Sequence, residues 1–317
     1  MTISVKVIAD SINESGNRIT TFQLRYPRFI HAELMTHRKF SRNASSSRAI
    51  PVKRIIADIQ EDPAIPMHWG KNIPGMQAHE QIDEPVQLPV LTDLNQSLVG
   101  VSKEQAWLIA RDRVIKVAEG FDNAGYHKQI VNRLLEPWAH INVLVTSTEF
   151  NNFYHLRCHP DAQPEIEVLA TQMRLAAQNS KPVLLAPGEW HLPYIKNAAD
   201  WAEAHLFLKK GRITRDEPSK KEIQELLLKV SAARCARVSY LLHSGRETTV
   251  DEDLILYAKL LGSAPLHASP AEHQATPDSK SYSTDYGGEL WDNESLHGNF
   301  TGWIQYRKTL PFENVPG

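Results

Sequence analysis

The amino-acid sequence predicts an α+β fold, and three patterns carry that expectation. Residues 3–7 and 19–24 alternate apolar and polar side chains on either side of the turn-rich stretch SINESGN, which reads as a β-hairpin with Gly16 in its loop. Residues Ile141 to Val145 form a short apolar run of the kind a buried strand shows. Helical spacing then recurs along the chain, twice behind a capping box, Ser102 with Gln105 and Thr249 with Glu252.

Taken in order, Pro27 closes the second strand, and Phe29, Ile30, Leu34 and Met35 follow at helical spacing up to His37. The segment SRNASSSRAI, 41–50, is polar, small and without periodicity, so a loop is expected. Prolines cluster from 51 to about 100, which predicts an irregular arm or insertion. A helix starts at Ser102 with Gly120 as its stop, and a second over 126–135 ends before Pro137. After the strand at 141–145, helices are expected over about 148–158, 162–177 and 221–233, then the strand-like RVSYLL, then a helix carrying Leu254, Ile255, Tyr257, Leu260 and Leu261. The tail beyond Pro277 is polar and aromatic, with Trp291, Phe300, Trp303 and Tyr306, and shows no motif.

Composition narrows the function classes. At roughly 150 residues per domain, 317 residues mean two domains or one with insertions. Lys and Arg total 35 against 37 Asp and Glu, a net charge of -2, with 42% hydrophobic and 23% charged residues, which excludes a disordered or collagen-like chain. No apolar run is long enough for a bilayer, and the start MTISVKVIADS lacks the pattern of a secretory signal. Two cysteines, Cys158 and Cys235, cannot build a disulfide framework, which points to the cytoplasm. There is no GxGxxG after a strand, no P-loop, no GxSxG and no HExxH. Cys158 and His159 are adjacent rather than spaced as zinc ligands, so no metal is expected.

Charge is concentrated in one place. Residues 25–54 hold Arg25, Arg28, Arg38, Lys39, Arg42, Arg48, Lys53 and Arg54 against the single acid Glu33. Arg donates two parallel, charge-assisted hydrogen bonds to phosphate, and Ser41, Asn43, Ser45, Ser46 and Ser47 add donors on a backbone a ligand can approach. The same charge would also suit a solvated loop or an arm resting on nucleic acid.

Spacing within this segment is more specific. His37-Arg38-x-x-Ser41-x-Asn43-x-x-Ser46-x-Arg48 resembles the RHRxxSxNExSxR signature of the flavin-dependent thymidylate synthases. Asn152-Phe153-x-x-x-Arg157 followed by Ala162-Gln163-x-Glu165-Ile166, and Arg133-Leu134-Leu135-x-Pro137, are similar to two further segments of that family, in its order. A fourth match, Ala236-Arg237-Val238-Ser239, a helix and then Ser269-Pro270-Ala271-Glu272-His273, resembles the segment that normally precedes the signature. Here it lies at the other end, which implies a circular permutation with the break just after Glu272-His273. Permutation is tolerated where old termini are close and new ones lie at the surface.

The resemblance implies a central antiparallel sheet flanked by helices, in one catalytic domain. Its core comes from 1–50, 119–181 and 231–276, with insertions at 51–118 and 182–230 and a C-terminal extension at 277–317. It implies reductive methylation of dUMP to dTMP with FAD, NADPH and methylenetetrahydrofolate. Arg157 would be catalytic, lying against the pyrimidine and stabilising charge at N3 and O2. Ser46, Ser47, Arg48 and Arg133 would hold the substrate with it. His37, Arg38, Lys39, Asn152 and His273 would bind FAD. A cytoplasmic homotetramer with shared sites is implied, with no membrane and no nucleic-acid partner.

Plainer roles stand beside these. Arg157 could pair with Asp161, His273 could cap beside Glu272, and Asn152 could be a buried polar group. Ser46 has no patterned base, so phosphate binding reads better than nucleophilic attack. Thr36 stands where the family has Arg, Ala44 where it has Glu, and Ala49 where an aromatic is usual. Such departures fit either a compensated loss of a charge pair or a different C5 modification of dUMP or dCMP.

Overall fold

The protein is described by a computed structural model covering residues 2–75, 78–89, 97–211, 216–240, 248–262, 266–284 and 287–313. The hairpin forms as strands β1 (Ser4–Ile12) and β2 (Arg18–Pro27), antiparallel, with a bulge between Val7 and Ala9. Its turn closes on Asn13, whose side chain accepts from Asn17 N at 2.8 Å, and Gly16 takes φ +80, which glycine adopts without strain. Helix α1 (His31–Met35) follows.

The stretch 41–50, expected as a loop, begins instead as strand β3 (Ser41–Ala44). Burial alternates along it and beyond: Ser41, Asn43, Ser45 and Ser47 are buried, while Arg42, Ala44, Ser46 and Arg48 are not. The period of two is present, but the buried positions are polar, so no hydrophobic alternation marks it. The proline-rich arm also holds a helix, α2 (Val52–Glu61), whose Val52, Ile55, Ile56 and Ile59 line one buried face at ordinary helical spacing. A small hairpin, β4 (Val86–Pro89) and β5 (Leu98–Val101), follows it.

Helix α3 (Lys103–Asn123) keeps its capping box but runs through Gly120; the chain turns at Gly125, φ +84. Then come α4 (Lys128–Leu135), strand β6 (His140–Ser147), α5 (Asn151–Arg157), α6 (Pro164–Asn179) and the two-residue strand β7 (Val183–Leu184). The segment 182–230 carries α7 (Asn197–Lys210). Helix α8 (Lys220–Tyr240) extends through Arg237–Tyr240, where a strand was expected; the remainder of RVSYLL lies outside the described residues. Helix α9 (Val250–Leu261) follows its capping box. The tail adds β8 (Ala275–Pro277), the hairpin β9 (Lys280–Ser283) and β10 (Gly288–Trp291), and β11 (Trp303–Gln305), which pairs with β8.

The main sheet has the order β3-β6-β2-β1-β7, antiparallel except for β7, which runs parallel to β1. Its two faces differ. Phe22, Leu24, Tyr26, Val143 and Val145 pack under α6 through Ile166, Leu169 and Met173, all buried. On the opposite face Leu144 meets Cys235 and Val238 of α8. The C-terminal segment thus lies against the N-terminal strands: Asn43 Nδ2 donates to Cys235 O at 2.8 Å, and the tail's Trp303 is fully buried with Ile19, Ala275 and Phe300. No described helix is long and apolar enough to cross a membrane.

Because Trp303 fills a closed part of the core and donates from Nε1 to Asn17 O at 3.1 Å, Trp303→Ala should cost about 3–5 kcal/mol. Urea unfolding of the two proteins will show this as a lowered midpoint.

Candidate active site around the basic loop

Two groups of sequence-selected residues assemble at opposite ends of β3, a strand about 13 Å long at 3.3 Å per residue. Before the strand, the His37 ring packs edge-on to Phe153, with centroids 4.8 Å apart, and stacks on Phe40. Arg157, at the last residue of α5, donates from Nε to His37 Nε2 at 3.1 Å and from Nη2 to Thr36 Oγ1 at 3.4 Å. His37 therefore accepts at Nε2 and carries its proton on Nδ1. Burial, with the Arg157 and Arg42 charges, holds its pKa below the ordinary value. Thr36 passes its own proton to Glu33 O at 2.7 Å, so a hydroxyl receives Arg157 where a second arginine would repel it. Arg157 turns to this pair, and Asp161 to His159. Arg38 is exposed, Lys39 makes a surface pair with Glu149 at 3.3 Å, and Asn152 is exposed on the first turn of α5 rather than buried.

Past the strand, Ser47 is buried and donates from Oγ to Glu136 Oε1 at 3.2 Å. Arg133 and Arg28 both reach that same oxygen, each at 3.1 Å. The loop is pinned from α4: Asn132 Nδ2 donates to Ser47 O at 2.7 Å and Ile50 O at 2.9 Å, and Lys128 Nζ to Ala49 O at 2.9 Å. Ser46 is half-buried and Arg48 exposed, so the outward donors of the loop face solvent while the inward one is committed to a carboxylate.

His273, expected to bind FAD, follows Glu272 of the tail and is completely buried. Its Nδ1 lies 2.9 Å from Thr146 Oγ1, and the contact continues inward. Thr146 Oγ1 is 2.7 Å from Thr21 Oγ1, which is 2.8 Å from His191 Nε2, whose Nδ1 is 2.9 Å from Ser11 Oγ. His273 Nε2 has no partner. Burial pushes the pKa of both histidines down to about 3, so both rings are neutral.

The tail supplies residues that no sequence signal marked. Asn299 Nδ2 donates to Lys39 O at 2.9 Å, Ser41 Oγ to Asn299 Oδ1 at 3.1 Å, and Gln305 Nε2 to Asn299 Oδ1 at 2.9 Å. Arg307 pairs with Glu272 and Glu313. Together with Arg38 and Arg42 these line an open cleft of about 550 Å³. Glu136 and Arg28 also went unmarked, although Glu136 is the variable position of the Arg133–Pro137 segment.

A sheet of this topology with a basic edge loop suits an enzyme acting on a phosphorylated substrate. The family of thymidylate synthase complementing protein matches over residues 18–183, a little over half of the chain, and the chain belongs to that family of flavin-dependent thymidylate synthase type. Among solved structures it is similar to a UMP/dUMP methylase, PolB, from Streptomyces cacaoi. The form bound with 5-Br dUMP is 19% identical over 56% of this chain and 90% of that one, with a TM-score of 0.37. The form bound with 5-Br UMP is 18% identical over 56% and 88%, with a TM-score of 0.35. No curated protein matches the sequence.

The buried histidines set a pH dependence. Their folded pKa of about 3 lies below the unfolded value near 6.5, so the stability they carry is complete above pH 6.5. It is lost as pH falls from 6.5 towards 3, by about 1.4 kcal/mol per pH unit for each ring. Urea midpoints measured from pH 7 to 5 should fall accordingly, and a His191→Gln, His273→Gln protein should show a shallower decline.

Proposed function

We propose that this chain is a flavin-dependent thymidylate synthase that methylates dUMP at C5 to give dTMP. Methylenetetrahydrofolate serves as methylene donor and NADPH as reductant. The observation that carries the reading is the Arg157 guanidinium. It is half-buried and fixed by His37 and Thr36, with Nη1 left free to meet a ligand. A cation held in this way, aimed at charge that develops on N3 and O2 of the pyrimidine, raises nucleophilicity at C5 without an enzyme nucleophile. Ser46, Ser47, Arg48 and Arg133 hold the nucleotide phosphate.

The residues present fit a flavin. Arg38 is exposed without a partner beside a cleft of about 550 Å³ that also carries Arg42 and Lys308, which gives room and charge for a diphosphate, and the His37 ring sits among aromatic neighbours. His37, Arg38, Lys39 and Asn152 would hold FAD, which supplies hydride transfer when bound. His273 would orient β6 from behind rather than touch it. The reading includes one catalytic domain, permuted with respect to its family, and a cytoplasmic homotetramer that brings the two ends of β3 from different subunits into one site.

Thr36 favours a second reading. With a hydroxyl where the family carries a cation, the base could be recognised differently, and the product could be another C5 modification of dUMP or dCMP.

Tritium release from C5-labelled substrate separates the two: release from dUMP with folate and NADPH present supports the synthase, and release from dCMP alone supports the second. Purified protein should show flavin absorbance; colourless protein that takes up no FAD overturns both. Arg157→Lys should lower kcat about a hundredfold with little change in flavin content.

A further inference from the structure

Behind the basic loop lies a smaller cavity of about 250 Å³, walled by the end of β2, the loop after β3, α2, α4 and the start of β6. It shares Ser47 with the phosphate site proposed above, while Ser46, Arg48 and Arg133 do not line it. Six buried side-chain atoms among the described residues lack a hydrogen-bond partner, and three belong to residues lining this cavity: Asn132 Oδ1 and both ring nitrogens of His140. Native proteins leave few such atoms unsatisfied, and here they gather in the wall of one cavity. Asn132 cannot relieve its own deficit by turning over, because its amide nitrogen already donates to Ser47 O and Ile50 O.

Donors converge as well. Arg54 lines the cavity without an acid partner, and Ser45 Oγ accepts from Asn142 N at 3.1 Å, which leaves its hydroxyl proton free. Arg28 reaches in while shared with Glu136, and Arg25 is committed to Asp62 and Asp58. We propose that this cavity is a second oxyanion site, in which Arg54, Arg28, Ser45 and His140 take the phosphate or carboxylate group of a ligand on the inner side of the basic loop. The site does not depend on the reaction proposed above.

The titratable groups lining the cavity with His140 are Arg25, Arg28, Arg54, Asp58 and Glu136, and Arg25 and Asp62 act on its ring, Asp62 also through its backbone. Burial first, and then the Arg25 charge, push its pKa down to about 4. An anion in the cavity opposes the Arg25 charge and favours the protonated ring, so binding is expected to be accompanied by proton uptake.

Calorimetry with inorganic phosphate and, separately, acetate tests this. One or both should bind, with affinity reduced about tenfold or more in Arg54→Gln and in His140→Asn, and largely restored in Arg54→Lys. The heat should vary with buffer ionisation enthalpy in the unsubstituted protein and not in His140→Asn, a readout that a merely structural histidine would not move. Preference for phosphate assigns the group to a nucleotide, and preference for acetate to a carboxylate substrate. No binding of either, or equal affinity in protein and variants of unchanged unfolding midpoint, overturns the proposal. Loss of dUMP turnover with these outcomes intact would touch only the reaction.

Discussion

Strand β6 is the constraint on which the rest of the structure depends. It pairs along its length with β2 and along its second half with β3, so the backbone groups of the hairpin and of the basic edge strand are satisfied through one segment. Its side chains divide by parity. Val143 and Val145 enter the apolar layer beneath α6, while Leu144 and Thr146 face α8 and the C-terminal segment. A slip of one residue would exchange these sets and drive Thr146 into the apolar layer. The register is therefore strongly determined, and with it the positions of His37 before β3 and Ser46 to Arg48 after it.

The face towards α8 is held by polar contacts. From Ser11 through His191, Thr21 and Thr146 to His273, each neutral ring has one donor and one acceptor nitrogen, and each hydroxyl one proton and two lone pairs. The orientation of each member constrains its neighbours, which ties both strands of the N-terminal hairpin, the β6 strand and the segments around His191 and His273 into a single arrangement. This network gives the chain a physical seam between residues more than a hundred positions apart.

The edge strand itself carries small polar side chains with little apolar area to hold it, so its position is imposed from outside. Asn132 and Lys128 grip the carbonyls of 47–50, Asn43 anchors on α8, and Asn299 and Gln305 bind the stretch 39–41 from the tail. Side chains committed in this way leave the arginines of the same loop free for ligands. Arg48 and Arg38 remain exposed and Arg54 unpaired, whereas Arg28 and Arg133 are drawn to Glu136. A loop rigid in its backbone and unsatisfied in its charge is suited to anion capture, because little ordering remains to oppose binding.

Local chemistry determined much of this in advance. The Asn13–Asn17 turn, the capping boxes at Ser102 and Thr249, the apolar faces of α6 and α9, and the spacing from His37 to Arg48 follow from interactions within a few residues, and all were legible in the sequence. What depended on distant partners was not. The strand at 41–44 shows no hydrophobic alternation because its buried face meets hydrogen-bond donors and acceptors rather than a core. Arg237–Tyr240 reads as β-branched and aromatic, yet continues α8 because that helix packs on β6. The apolar spacing of α2 was present but lay among prolines. The roles of Glu136, Asn299 and Gln305, the enclosure of His273 and the unpartnered nitrogens of His140 exist only once strands and tail meet. Burial and hydrogen-bond satisfaction are properties of the assembled space rather than of any segment within it.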